Sequence, residues 1–396
     1  MMPQLATKEQ CSGCGVCMNI CPKSAITMKA DNEGFLQPFV DLDKCVECGT
    51  CDMKCPAINP FDPKGAERPK VFALWSNKDR RVSSSGGAFS AFARYVLKND
   101  GLVYGAVFDH NLRCHHIAID NIDGLTALRG SKYVQSEIGW ILQSVKTNLA
   151  KGSMVLFTGT PCQVAGLRSF LGKEYENLIT LDLACHGVPS SVIWQGYLKK
   201  LRKSPRFAGL DGYEFRRRDG WGFAPSVSLG GKFRPIYGVD SLYMEAFNRC
   251  ALFRKSCYSC PYAKIPRVGD CTIADFWGIG RYGVPFKHDV MKGVSLVLVN
   301  NKKGEIALNS LEDVFVEERS LDEALMENRN LKKPSNPHPK RDSIIKAFLD
   351  EESSLAEIDR RYHIVDRSVK GLVKMYASKL GLFDIVKRVY NYAKSH

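Results

Sequence analysis

The sequence predicts three successive segments: a small α+β domain over residues 1–60, a mixed α/β domain over 71–331 and a helical tail over 343–396, with linkers at 61–70 and 332–342. Three observations predict this. A doubled cysteine ladder occupies the first segment, strand-like and helix-like runs alternate through the second, and the end carries helical periodicity with an excess of basic residues.

The ladder reads Cys11-x2-Cys14-x2-Cys17-x3-Cys21-Pro22 and again Cys45-x2-Cys48-x2-Cys51-x3-Cys55-Pro56. Each iron of a cubane needs a soft thiolate, and in two-cluster domains the fourth cysteine of each run crosses to the other cluster. The expected sets are Cys11, Cys14, Cys17 and Cys55 on one [4Fe-4S] cluster, and Cys45, Cys48, Cys51 and Cys21 on the other. Pro22 and Pro56 stop the chain from continuing as helix. Gly13, Gly15 and Gly49 suit tight turns that aim amides at cluster sulfurs. A disulfide framework and zinc knuckles are the rivals, but neither predicts a doubled four-cysteine run closed each time by proline. The first segment is therefore read as a bacterial-type 2[4Fe-4S] ferredoxin domain, and electron transfer as its work.

With 396 residues, 44% of them hydrophobic, the chain can bury a large core in two or three domains. No stretch approaches the roughly 18 apolar residues of a membrane span, and no secretory signal opens the sequence. Fifteen cysteines in a secreted protein would suggest disulfides, but free thiolates holding clusters need a reducing compartment, so the expectation is cytoplasmic. The net charge of +14 fits nucleic acid, an anionic membrane, an acidic partner or a phosphorylated cofactor. Basic residues are spread without aromatic interleaving, which argues against nucleic acid.

The linker at 61–70 follows from Pro60, Pro63 and Gly65. Beyond it the pattern predicts strands at 71–75, 102–108, 116–120, 154–157 and 178–183, and helices at 87–97, 136–149 and 164–171. This is α/β layering with some parallel pairing. Residues 211–223, rich in Arg and Gly, read as an edge hairpin or a loop facing a site. Further strands are expected at 271–274 and 295–299. Three prolines mark the second linker. The tail has Val369, Val373 and Tyr376 at helical spacing, then Leu380, Phe383 and 386–389, with Lys370, Lys374, Lys379, Lys387 and Arg388 between them. Packing back on the chain is the plainer reading of that amphipathic face. Docking on an acidic partner or a peripheral membrane contact is the functional one.

Several motifs in the α/β segment carry chemistry. Ser83-Ser84-Ser85-Gly86-Gly87 precedes an apolar helix; read alone it is a helix cap, and it also offers amides to a phosphate. Arg129-Gly130-Ser131-Lys132-Tyr133 is a turn with two cations. Cys162, in Thr-Gly-Thr-Pro-Cys-Gln, and Cys185, in Cys-His-Gly, both sit at strand ends, where sites of open α/β sheets gather. Cys257-x2-Cys260-Pro261 adds a close pair, so a third cluster is expected on Cys162, Cys185, Cys257 and Cys260. Buried apolar cysteines or a zinc site with His186 are the alternatives, and Cys250 is a competing ligand. Cys114, beside two histidines on a strand edge, reads as surface chemistry without consequence, and Cys271 as core. Asp275-Phe276-Trp277-Gly278 suits packing beside a cluster or flavin, though core packing explains it nearly as well.

In their order these motifs resemble the coenzyme F420 hydrogenase/dehydrogenase beta-subunit family, over roughly residues 5 to 330. The resemblance implies a flavoprotein, with FAD touched by Ser84, Ser85, Gly86, Gly87, Ser131 and Lys132, and a [4Fe-4S] cluster on Cys162, Cys185, Cys257 and Cys260. It implies an iron-sulfur, flavin-dependent oxidoreductase that moves electrons between clusters and FAD, toward an F420-like deazaflavin or another small molecule. The alternative is an electron-wiring subunit docking on a catalytic redox partner protein. Cys250 and Cys271 depart from the family pattern.

Overall fold

The computed structural model describes residues 3–63, 65–216, 221–380, 382 and 385–386. In the cysteine-rich domain a pair of short helices, Val16–Ile20 and Thr50–Met53, each begin after a left-handed glycine, Gly15 at φ 74° and Gly49 at φ 68°. Only glycine takes that turn without steric cost, so the third cysteine of each run is carried onto the first turn of a helix. Strands β1 (Ile26–Ala30) and β2 (Leu36–Val40) form an antiparallel hairpin between the helices.

Eleven further strands follow: β3 Lys70–Ser76, β4 Leu102–Phe108, β5 Cys114–Ile119, β6 Val155–Gly159, β7 Leu178–Leu183, β8 Leu210–Arg216, β9 Phe223–Leu229, β10 Lys232–Pro235, β11 Cys271–Asp275, β12 Ser295–Val299 and β13 Val314–Arg319. The main sheet has the order β13-β3-β12-β11-β7-β6-β4-β5. β11, β7, β6 and β4 run parallel to their neighbours within that group, and the remaining pairs are antiparallel. β6 and β12 are buried along their whole length, as strands covered on both faces must be. β8, β9 and β10 make a separate antiparallel sheet. The fold is thus a ferredoxin-type domain beside an α/β domain with a mixed sheet.

Most expected elements lie within three residues of the observed ones, with exceptions. The helix expected from 136 starts at Ile141, because Glu137 pairs its backbone with Cys114 and His116 and holds that stretch against β5. β13 and the helix Ser191–Arg202 had no counterpart in the sequence reading. Cys114 corrects the surface expectation: β5 is an edge strand, yet the thiol is fully buried in the core with Trp194 and Phe215.

Helices Arg341–Leu349 and Leu355–Tyr362 lie on that same core, where Ile344, Ile345, Phe348, Leu355, Ile358 and Ile364 meet Trp194, Tyr197 and Tyr243. Arg341 is buried and forks onto Glu33 at 2.8 and 2.9 Å while donating to the Phe253 carbonyl. A single guanidinium therefore ties the tip of the β1–β2 hairpin to the C-terminal helices. Farther on, Val369, Val373 and Tyr376 are exposed. The side chains of Lys370, Lys374, Phe383, Lys387, Arg388 and Val389 lie outside the described residues. Among the described residues no helix is long and apolar enough to cross a membrane.

Candidate iron-sulfur centres

The ladder cysteines divide between two cavities. One is lined by Cys11, Cys14, Cys17 and Cys55 together with Val16, Met28 and Pro38. The other is lined by Cys21, Cys45, Cys48 and Cys51 together with Ile26 and Val46. Each cavity takes three cysteines from one run and the closing cysteine of the other, which is the crossover the spacing predicts. Amides already address the sulfurs: Gly13 N–H donates to Cys11 Sγ at 3.4 Å and Ala25 N–H to Cys21 Sγ at 3.3 Å. Among the described residues no three His, Cys, Asp or Glu side chains converge as a lone metal ion demands. The cysteines instead ring spaces, the arrangement a multi-iron cube needs.

Burial acts on these thiols. Desolvation, with Cys11 and Cys55 beside it, pushes Cys17 up to about 12, and burial pushes Cys14 well up. In the second ring Cys48 is exposed, and the Thr50 hydroxyl that donates to its sulfur at 3.4 Å lowers it. One ring is therefore internal and the other faces solvent.

In the α/β domain, β6 and β7 are parallel neighbours, so their carboxyl ends bring Cys162 and Cys185 together. A capping box, Thr160 with Gln163, starts the helix Pro161–Leu171 and places Cys162 on its first turn, 3.2 Å from Thr160 Oγ1. Cys257 and Cys260 arrive on the turn Lys255–Ser259 and just past it. Cys185 lies close enough to Cys257, Cys162 and Cys260 to feel all three, and burial raises all four thiols, Cys257 to about 12 and Cys260 to about 11. The four candidates for a third cluster thus meet. Cys250 does not join them: it sits at φ 56°, its thiol faces Ser335 and its carbonyl accepts from Tyr258.

This third ring abuts the internal one. Cys14 feels Cys162, and Gly166 on the helix Pro161–Leu171 comes so near that an added Cβ would stand 3.1 Å from Cys14 Cβ. Tyr262, whose hydroxyl donates to the Pro56 carbonyl at 2.9 Å, is flanked by Cys162, Cys14 and Cys260. The turn bearing Cys257 is fastened to the ladder by Arg254 Nη1 and Ser256 Oγ, both donating to the Cys11 carbonyl, at 2.7 and 3.0 Å. Behind it Asp182, fully buried at the end of β7, accepts from Arg267 at 2.8 Å, from Gly269 N–H at 2.8 Å and from Val268 N–H at 3.2 Å. Sequence reasoning passed over Arg254, Tyr262, Asp182 and Arg267. Arg254 stands three residues before Cys257, which was its only signal.

The two motifs read as anion-binding are brought into contact, Ser131 N–H donating to Ser84 Oγ at 3.1 Å. Gly87, at φ 90°, starts the helix Ala88–Lys98. Gly86 packs on its own sheet, where a Cβ would fall 2.2 Å from the Leu74 carbonyl oxygen. The two cations of the second motif are committed elsewhere. Lys132 Nζ donates to the carbonyls of Ala127, Leu128, Arg129 and Gly130 at 2.8–3.3 Å, capping the helix Leu125–Leu128, and Arg129 pairs with buried Asp79. Ser85 Oγ donates to the Val294 carbonyl at 3.0 Å and the Ala88 amide to Ser295 Oγ at 3.4 Å, so Ser84 and Ser131 are the members of the two motifs that meet, and the lysine is turned to its own carbonyls. Asp275 ends β11 with its carboxylate taken by Arg216, at 2.7 and 3.1 Å, and by Trp221, while Trp221 stacks on Trp277 at 4.7 Å.

Comparison with known proteins finds that residues 152–324 match a family model for the C terminus of the coenzyme F420 hydrogenase/dehydrogenase beta subunit, and that residues 10–58 match a 4Fe-4S dicluster domain. Residues 152–324 thus carry the C-terminal domain of that family, behind a 4Fe-4S dicluster domain. The third ring lies within the beta-subunit match and the ladder within the dicluster match, whereas Ser84–Gly87 and Ser131–Lys132 lie in neither. Coenzyme F420-dependent sulfite reductase of Methanocaldococcus jannaschii is 25% identical over 307 residues, 76% of this chain and 46% of that protein. The F subunit of the F(420)H(2) dehydrogenase of Methanosarcina mazei is 23% identical over 194 residues, 46% of this chain and 55% of that protein. The chain spans about half the length of these curated relatives. A solved F420-reducing [NiFe] hydrogenase complex of Methanosarcina barkeri has a chain 16% identical, with a TM-score of 0.42, covering 77% of this chain and 94% of its own; likeness of that degree carries no argument.

Proposed function

We propose that this chain is an iron-sulfur flavoprotein oxidoreductase module that moves single electrons along three [4Fe-4S] clusters and exchanges them in pairs, through FAD, with a small-molecule substrate. The observation that carries this reading is the grouping of twelve cysteines into three rings, with the internal ladder ring packed against the ring of the α/β domain at Cys14 and Cys162. Bound cubanes supply one-electron steps and a flavin the two-electron step. The role of the residues is to hold these groups in line. The outer ring, with Cys48 exposed, meets the electron donor; the internal ring lies behind it; Cys162, Cys185, Cys257 and Cys260 follow at the carboxyl ends of the sheet. The Ser84–Ser131 seam and the helix start after Gly87 are what support a phosphate-bearing cofactor here; Ser85 and Gly86 join them only as the family resemblance implies. A deazaflavin of the F420 kind is the substrate class that the relatives' names favour.

The rival, an electron-wiring subunit for a catalytic partner, draws on exposed Val46 and Met53 near the outer ring. Anaerobic purification with iron and flavin analysis tests the main reading: about twelve irons and one flavin per chain are expected. About eight irons would remove the third cluster, and absence of flavin after reconstitution would remove the two-electron centre and leave the wiring role. Ser84→Asp retains an acceptor for the Ser131 amide but sets a carboxylate where a phosphate would lie. Flavin content should fall with iron unchanged.

A further inference from the structure

Between the internal ladder ring and the third ring lies a buried cation without a counter-ion. Arg254 is 1% exposed, and among the described residues no carboxylate pairs with it. Its Nη1 donates to the Cys11 carbonyl, its Nη2 to the Leu36 carbonyl, and its guanidinium stands 5.2 Å from the Phe35 ring centroid. Its Nε has no hydrogen-bond partner although it is buried. Such an arrangement is costly, because a desolvated charge held only by carbonyl dipoles and an aromatic face recovers little of its hydration. Cys162 and Cys257 both feel its field. Gly13 makes room for it, since a Cβ there would stand 2.9 Å from Arg254 Nη2.

We propose that Arg254 is a fixed counter-cation shared by the internal ladder cluster and the third cluster, a positioning residue that raises both reduction potentials above that of the outer cluster. The inference deepens the three-cluster reading and rests on it. Reduction adds one electron to a thiolate-bound cluster that is already anionic, and no proton need accompany it when a permanent cation lies alongside. Each flanking cluster is then easier to reduce, so an electron arriving at the exposed outer ring runs inward. The orphaned Nε belongs to the same account: it leaves one N–H of a cation whose field reaches Cys162 and Cys257 without a partner. The outer ring has Cys48 in solvent and no buried guanidinium described beside it.

The test is an anaerobic, EPR-monitored redox titration of the full iron-loaded chain, with dithionite as reductant, comparing wild type with Arg254→Gln, Arg254→Lys and Ser256→Ala. Arg254→Gln should lower the reduction equilibrium constants of both flanking clusters about ten-fold or more, 59 mV for a one-electron couple, and leave the outer cluster within about three-fold. Arg254→Lys should restore most of that loss. Ser256→Ala, which removes a neutral donor from the same Cys11 carbonyl, should leave all three within about three-fold. Equal shifts of all three clusters, no shift at full iron, or a Ser256→Ala shift as large as that of Arg254→Gln would overturn the assignment. Should Arg254→Gln hold fewer irons than wild type, the lysine variant decides: full loading supports the charge, and loading at the glutamine level overturns it. Iron content is read before any potential. A wild-type count near eight brings down the three-cluster reading itself, whereas unmoved potentials at about twelve irons bring down this inference alone.

Discussion

Asp182→Asn should detach the turn that carries Cys257 and Cys260 from the sheet end that carries Cys185. The Asp182 carboxylate is fully buried and accepts from Arg267 Nη2 at 2.8 Å and Nε at 3.3 Å, and from the amides of Val268 and Gly269 at 3.2 and 2.8 Å. Arg267 in turn donates to the carbonyls of Tyr262 at 2.6 Å and Leu183 at 2.8 Å, so one ion pair knots β7 to the loop behind the third ring. An asparagine presents an NH₂ group to donors and leaves the guanidinium uncompensated. Breaking one partner of a buried pair costs about 3–5 kcal/mol, against roughly 5–15 kcal/mol for a whole domain. The double variant Asp182→Asn with Arg267→Met carries no stranded charge and should recover to within about 1–2 kcal/mol of wild type. Anaerobic urea unfolding and iron analysis read both effects, and the single variant should lose about four irons. If Asp182→Asn unfolds within about 1 kcal/mol of wild type, or the double variant is as damaged as the single, the pair does not hold the loop and the reasoning fails.

Cys257→Ser should lower iron by about four while the ladder clusters keep their spectra, and Cys250→Ser should lose none, since that thiol faces Ser335; iron loss from Cys250→Ser would reassign the ligand set. His116 is fully buried, its Nε2–H donating to the Thr158 carbonyl at 2.9 Å and its Nδ1 accepting from the Ser136 hydroxyl at 2.7 Å, and desolvation pulls it down to about 4. Between pH about 6.5 and about 4 the unfolded chain therefore binds a proton the folded one refuses, and stability should fall as pH drops through that window, by up to about 3 kcal/mol. His116→Gln should flatten that slope in acid denaturation, and an unchanged slope would clear the histidine of the effect. Removal of residues 369–396 should leave iron content and folding intact, because Val369, Val373 and Tyr376 are exposed, whereas truncation after Pro339 should abolish soluble protein by stripping Ile344, Phe348 and Ile358 from the core; expression and near-UV circular dichroism distinguish them.

Local signals carried much of this protein. Cysteine spacing by itself dictated the crossover rings, because a cubane's demand for thiolates leaves few ways to wrap eight closely spaced cysteines. Period-two apolar runs closed by turn residues located β3, β4, β7, β11 and β12, and the ends of β6 and β7 marked Cys162 and Cys185. The tertiary structure decided what depends on partners distant in sequence. Cys114 looked like an exposed edge residue and is fully buried, since the helix Ser191–Arg202 and its Trp194 cover that edge. Lys132 looked free for an anion and is taken by the carbonyls of residues 127–130, at the end of the preceding helix and just past it. Cys250 stood in the linear chain as a competitor to the expected ligands until folding turned it toward Ser335 and Cys257 toward Cys185. Arg254 gave no sign of its burial, because whether an arginine ends in water or between two rings of thiols depends on the approach of Gly13 and Phe35 from the other domain, more than two hundred residues earlier in the chain.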